Sequence, residues 1–212
     1  MHVSELWRYP VKSMAGERLD VVDVRADGLP GDRLVHVQNA DGRVITSRTR
    51  PELLGLHGTL DGGGNALVNG CPWESNESRA AVRAAAGGDA ELVAYDGLER
   101  FDVLPLSVAT DGAIAAMGVD GRRFRPNIVI GGVPGLAERM WPGRRLRIGG
   151  ATVDVARLRL RCVMTTYDPD TQEQDLDVLR RIVADFDGVL ALDCNVVIAG
   201  RIAVGNSVVV VE

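Results

Sequence analysis

The chain has 212 residues, 46% of them hydrophobic and 25% charged, a globular composition that excludes a disordered chain. Its formal net charge of −5 at pH 7 argues against a general nucleic-acid binder, which needs a dominant positive field. No apolar run approaches the roughly 20 residues of a membrane-spanning helix, and no basic segment followed by an apolar one opens the chain, so neither membrane insertion nor a signal peptide is expected. Cys71, Cys162 and Cys194 are odd in number and widely spaced, which fits a reducing, cytoplasmic setting rather than a disulfide framework. Three histidines, with no Cys-x-x-Cys or His-x-x-x-His spacing, give no zinc site.

Strand signals dominate in chain order. Residues 3–9 alternate and meet Pro10, and residues 19–24 form a second strand closed by the turn formers of Asp27-Gly28-Leu29-Pro30-Gly31-Asp32. Asn39-Ala40-Asp41-Gly42 joins residues 34–38 and 44–46 as a hairpin. A second hairpin joins residues 56–60 and 66–69 through Asp61-Gly62-Gly63-Gly64-Asn65. Residues 77–86 predict a helix, with Ser75 or Asn76 as cap and Gly87-Gly88 as stop and best domain boundary. Residues 110–117 predict a short helix capped by Thr110 or Asp111, and residues 136–140 a single turn. Residues 175–186 predict a helix with Leu176, Leu179, Ile182 and Val183 on one face. Further strands are expected at 125–130, 145–148, 152–162, 190–198 and 207–211. Many short strands with glycine-rich turns read as a barrel or sandwich.

Basic residues carry the chemistry. Of 24 lysines and arginines, only Lys12 is lysine, which is either a residue of codon bias or a position that needs a compact ammonium. Strand alternation places Arg157, Arg159 and Arg161 on one face, either as a solvated salt-bridged edge or around an anion. Cys162 beside Arg161 is either a buried structural thiol or a thiolate able to bind a soft metal. In Arg122-Arg123-Phe124-Arg125-Pro126-Asn127, proline holds Arg125 extended, and the corner either grips a phosphate or heterocycle edge or simply feeds a strand. Asp32 is placed to pair with Arg33. Walker A, Gly-x-Gly-x-x-Gly, Gly-x-Ser-x-Gly and His-Glu-x-x-His sequences are absent, so the side chains suit holding an anionic cofactor better than unaided acid–base catalysis.

At these residues the chain resembles the MOSC family, named after the C-terminal domain of molybdenum-cofactor sulfurase. The resemblance rests on Tyr9-Pro10-Val11-Lys12-Ser13, Gly28-Leu29 through Asp32-Arg33, and Thr46-Ser47-Arg48 with Pro51. It continues through Arg123-Phe124-Arg125-Pro126-Asn127, Arg161-Cys162 with Thr165-Thr166-Tyr167-Asp168-Pro169, and Gly200-Arg201-Ile202 with Val204-Gly205-Asn206. Asn206 stands where the family closes with aspartate. The pattern is nearest to amidoxime-reducing members and those that detoxify N-hydroxylated bases.

The resemblance implies a mainly β fold, a MOSC β-barrel at residues 89–212 behind a small N-terminal β region at residues 1–88. It implies an oxidoreductase with molybdenum cofactor (Mo-molybdopterin) that reduces hydroxylamines, amidoximes or N-oxides. Cys162 would be the thiolate on molybdenum. Lys12, Ser13, Arg33, Arg125 and Asn127 would hold the molybdopterin and its phosphate, helped by Thr110 and Arg161. Asp168 is the candidate proton donor, with Asp193 as the alternative. No appended iron–sulfur cysteine cluster is present, so electrons are expected from a separate flavoprotein or ferredoxin. Two alternatives use the same residues: a sulfur carrier with a Cys162 persulfide, and a protein that binds or inserts the cofactor without turnover.

Overall fold

The computed structural model describes residues 1–95 and 97–212. Its strands are β1 (His2–Arg8), β2 (Glu17–Leu19), β3 (Val21–Val24), β4 (Val35–Gln38), β5 (Val44–Ile45), β6 (Gly58–Leu60), β7 (Ala66–Val68) and β8 (Cys71–Pro72). There follow β9 (Glu91–Ala94), β10 (Leu106–Thr110), β11 (Ile128–Gly131), β12 (Arg145–Ile148), β13 (Ala151–Leu160), β14 (Val189–Ile198), β15 (Gly200–Ala203) and β16 (Val208–Val211). The α-helices are α1 (Asn76–Ala86), α2 (Asp111–Met117) and α3 (Leu176–Phe186), so the fold is mainly β as expected. None is long and apolar enough to cross a membrane.

One eight-stranded sheet runs in the order β16-β12-β13-β14-β10-β11-β1-β2. Its pairs are antiparallel except β10 with β11, which run parallel because α2 and the turn after it carry the chain back between them. Val3, Leu6, Val108, Ile128, Val155 and Leu192 fill its core. The remaining strands form β15–β3, β5–β4–β9 and β6–β7–β8. A second core gathers Val11, Met14, Val35, Leu53, Val68 and Val82 under α1. The chain therefore passes from the first core at Leu6 to the second at Val11, and the residues next in sequence, Lys12 and Ser13, are delivered to the seam between them.

Both hairpins form as their turn residues require, with Val37 opposite Ile45 and Thr59 opposite Leu67. The helix caps are equally local: Ser75, Thr110 and Asp175 each accept a backbone N–H of the first turn. Residues 19–24 differ from expectation, because Asp20 divides them into β2 on the large sheet and β3 beside β15. β10 escapes alternation because all five residues are buried. On α3 the buried stripe is Val178, Ile182 and Phe186, packed near Met117 and Phe124, while Leu176 and Val183 face outward. The i, i+4 stripe ending on Phe186 buries more apolar surface than the expected face.

Candidate active site

A cavity of about 260 Å³ opens at the seam. Among the described residues seven basic side chains line it, Lys12, Arg33, Arg48, Arg123, Arg125, Arg159 and Arg161, against one carboxylate, Asp102. Lys12 is buried, its backbone N–H bound to Val35 O at 2.8 Å. Its ammonium lies 2.7 Å from Asp102 Oδ1 and 5.5 Å from the Tyr95 ring centroid. Burial works to raise the Asp102 carboxyl, but the Lys12 hydrogen bond and the charges of Lys12 and Arg48 outweigh it and hold the group below the usual range.

Three lining residues share a backbone feature. Ser13, Arg33 and Arg125 have φ of 72°, 54° and 50°, the left-handed region that side chains disfavour. Such strain costs of order 1 kcal/mol or more per residue and persists where the surroundings over-determine it, commonly at ligand sites. Pro126 does not hold Arg125 extended. Arg125 instead ends the 3₁₀ turn Gly121–Phe124, its N–H bound to Arg122 O at 3.0 Å, and its guanidinium turns back over the Tyr9 ring at 4.2 Å.

The thiol end of the cavity follows from where β13 stops. After Leu160 the chain leaves the sheet, Arg161 N–H binds Gly188 O, and Cys162 is extended at φ −131°. Leaving the sheet cancels the strict alternation, so Arg161 and Cys162 line the same cavity. The Cys162 carbonyl accepts from both Thr165 N and Thr165 Oγ1, while its thiol is free and half-buried. Arg157 and Arg159 both pair with the buried Asp193, which offsets one of their two charges and holds both side chains.

Arg161 is different. Its Nη2 donates to Phe124 O at 2.9 Å, but Nε and Nη1 are buried with no partner. Burial, reinforced by Arg159, pushes its guanidinium down to about 9, still protonated at neutral pH. Unsatisfied buried donors cost about 1–3 kcal/mol each, and such groups in a cavity wall call for an acceptor.

A second cleft of about 200 Å³ shares Arg123, Arg125 and Met164 with the first. Trp7, Tyr9, Leu54, Tyr167 and Pro169 supply its mainly apolar walls.

Six of the sequence-derived residues thus meet at one cavity: Lys12, Ser13, Arg33, Arg125, Arg161 and Cys162. Asn127, Thr110 and Asp168 line neither space. Asn127 accepts from Ser107 N and donates to Asp32 Oδ2 at 3.2 Å, and Asp32 in turn pairs with Arg33 and accepts from Tyr9 N. Asn127 therefore positions Arg33 and Tyr9 through Asp32. Thr110 caps α2 and donates to Glu138 Oε2. Asp168 lies outside both spaces, beside Arg123. Backbone N–H groups of Thr171 and Asp170 and the charge of Arg123 hold its carboxyl below the usual range, so it stays ionised at neutral pH. It positions Arg123, bound at 3.0 Å. Asp193 is buried under its two arginines.

Asp102 had no chemical signal in sequence, and Arg48 stood there only within the Thr46-Ser47-Arg48 block, with no role assigned. Asp102 reaches the site because Arg100, two residues earlier, is anchored to Asp27 at 2.7 Å. Among the described residues no group of three or more His, Cys, Asp and Glu side chains is placed to hold a metal ion.

This is a β protein with a basic, thiol-ended cavity of the kind that holds an anionic cofactor. Residues 1–94 match the MOSC N-terminal beta barrel domain and residues 106–209 the MOSC domain, and the chain belongs to the MOSC domain family. Human mitochondrial amidoxime-reducing component 1 is 25% identical over 227 residues, covering 80% of this chain and 67% of the relative. Mitochondrial amidoxime reducing component 2 of Macaca fascicularis is 24% identical, covering 84% and 71%. The YUAD protein of Bacillus subtilis has the same fold, with a TM-score of 0.54 at 16% identity over 98% of this chain and 93% of that one.

Molybdenum cofactor, associated with this family in general, fits these residues. Arg161 offers two unpartnered buried donors, Cys162 a free thiol, and Lys12, Arg33 and Arg125 the positive charge that a phosphate and a pterin edge require.

Proposed function

We propose that the chain binds molybdenum cofactor at this cavity and reduces N-hydroxylated compounds, with Cys162 as the thiolate ligand. The observation that carries this reading is the free Cys162 thiol beside the two unpartnered donors of Arg161 in a cavity of seven basic groups. With no protein cluster able to hold a metal alone among the described residues, one thiolate suits a metal that arrives with its other ligands. When bound, the cofactor supplies a two-electron redox centre that accepts oxygen.

The protein's own residues do the rest. Arg161 lines the cavity next to Cys162 and brings a positive charge to the thiol end. Lys12, Ser13 and Arg33 hold the phosphate end, presented by the N-terminal unit (residues 1–88), while Arg125 and Cys162 come from the MOSC unit (89–212). Arg123, fixed by Asp168 and Thr166 O, forms the wall between cavity and cleft. In the net reaction the N–O bond breaks, two electrons and two protons enter, and water leaves. Asp102 is ionised and held by Lys12 and Arg48, so the protons come from water at the cavity mouth. Electrons come from a separate flavoprotein or ferredoxin, and three free cysteines suit a reducing cytoplasm.

Elemental analysis of protein from a molybdenum-replete host tests the reading, wild type beside Cys162→Ala. Molybdenum should copurify with wild type, be lost from the variant with its circular dichroism unchanged, and support reduction of benzamidoxime. Equal molybdenum in both removes the ligand assignment. A persulfide on Cys162 with no molybdenum assigns sulfur transfer instead.

A further inference from the structure

The charge layout of the aromatic cleft carries a step beyond the reductase reading, on which it rests. Trp7, Tyr9 and Tyr167 give the cleft flat walls, and Arg125 lines both it and the proposed cofactor cavity. Among the described residues its one carboxylate, Asp170, is already taken. Arg122 Nη1 and Nη2 bind the two Asp170 oxygens at 2.9 and 2.6 Å, while the same guanidinium holds Asp120. Among the described residues no carboxylate pairs with Arg125, whose close contact is the Tyr9 ring.

We propose that this cleft is the subsite for the aromatic body of an N-hydroxylated substrate, and that its charge layout separates neutral substrate from cationic product. An electron-withdrawing hydroxyl makes an amidoxime far less basic than its amidine, so at neutral pH the substrate is neutral. Reduction breaks the N–O bond with two electrons and two protons and releases water. The amidine then takes one further proton and becomes a cation. That cation meets Arg125 and finds Asp170 occupied, so it loses hydration without gaining a counter-ion. The neutral amidoxime stacks on the aromatic walls and accepts from Arg125 without that penalty. Product is thereby released by the charge that the reaction itself creates.

Calorimetric titration of the protein as purified, with no electron donor present, tests this with benzamidoxime and benzamidine as probes. Wild type should bind benzamidoxime at least about tenfold more tightly. Arg122→Ala frees Asp170 and should tighten benzamidine about fivefold or more, with benzamidoxime unchanged within about twofold. Tyr167→Leu should weaken benzamidoxime at least about threefold. Equal or tighter benzamidine binding to wild type, binding of neither probe, or no gain in folded Arg122→Ala overturns the proposal; Arg122→Gln gives the same readout if the alanine variant does not fold. Because no turnover is measured, a tenfold preference in protein that lacks molybdenum or fails to reduce benzamidoxime defeats the reductase reading alone.

Discussion

The guanidinium of Arg125 lies over the ring of Tyr9, 4.2 Å from its centroid. Asp32 holds the Tyr9 backbone N–H at 2.7 Å, and the Tyr9 hydroxyl donates to Pro126 O at 3.2 Å. Burial pushes the Tyr9 phenol up to about 12 and the Arg125 guanidinium down to about 10, so at neutral pH the ring is uncharged and Arg125 is still a cation. Tyr9 is the shelf that aims Arg125 between the two spaces.

Arg125→Gly should lower cofactor retention without lowering stability. Removing a left-handed non-glycine residue recovers about 1 kcal/mol and removes a poorly hydrated cation. The lost cation–π contact is worth about 0.5–1 kcal/mol. The Tm of cofactor-free protein should equal or exceed wild type while molybdenum content falls. A lower Tm contradicts the strain assignment.

Gly16→Ala should destabilise the fold by about 1–3 kcal/mol. An added Cβ would lie 2.3 Å from the Arg8 carbonyl oxygen and 2.5 Å from Tyr9 Cδ1. The backbone oxygen has no freedom to retreat, so the Tyr9 shelf must shift. Urea unfolding measures the loss, and a change below about 0.5 kcal/mol counts against the packing described.

Glu138→Gln should stabilise the protein at neutral pH. Glu138 is buried, and burial raises its carboxyl above the usual range despite the hydroxyl of Thr110 at 3.2 Å. The folded state therefore binds this proton more tightly than the unfolded state, and wild type loses stability as pH rises through the raised value. Glutamine keeps an acceptor for Thr110 without the charge. Its Tm advantage should shrink as pH falls below the ordinary carboxylate range; a constant advantage would point to packing instead.

Asp168→Asn carries the opposite sign. The folded-state value of Asp168 is depressed, so its contribution is present at neutral pH and fades as pH falls through that value. The variant should lose about 1 kcal/mol at pH 7, with the difference closing in acid. Abolished reduction with unchanged unfolding would restore Asp168 as the proton donor.

Alkylation of native protein should modify Cys162 and spare Cys194. Cys194 is fully buried and its thiol is pushed up by burial, whereas Cys162 lines the cavity. Peptide mass spectrometry reads both sites, and bound cofactor should protect Cys162. Comparable labelling of Cys194 would show that its strand opens readily.

Legibility followed the range of each interaction. Lys12 stood out because it is the single lysine, and Cys162 and Arg161 because they are adjacent in one block. Asp102 could not be singled out, since a loop carboxylate gains meaning only from Lys12, 90 positions away, and from Arg48. Asn127, Thr110 and Asp168 sit in recognisable blocks, yet their partners Asp32, Glu138 and Arg123 make them supports for the site and not its lining. The left-handed turn at Arg125 was likewise hidden, because proline's local bias is overridden by the 3₁₀ turn before it and the Tyr9 ring beneath.

By itself the sequence determined the mainly β class, both hairpins, two helix caps to within one residue and the identities of the thiol and the lone lysine, because alternation, turn residues and capping act within a few residues. Only the tertiary structure decided which arginines are paired and which are left open. Asp193 holds Arg157 and Arg159, Asp168 fixes Arg123, and Arg161 and Arg125 have no carboxylate partner among the described residues. Charge pairing acts through space over a few ångströms, between residues 34, 36 and 45 positions apart in those pairs, and no local pattern encodes it.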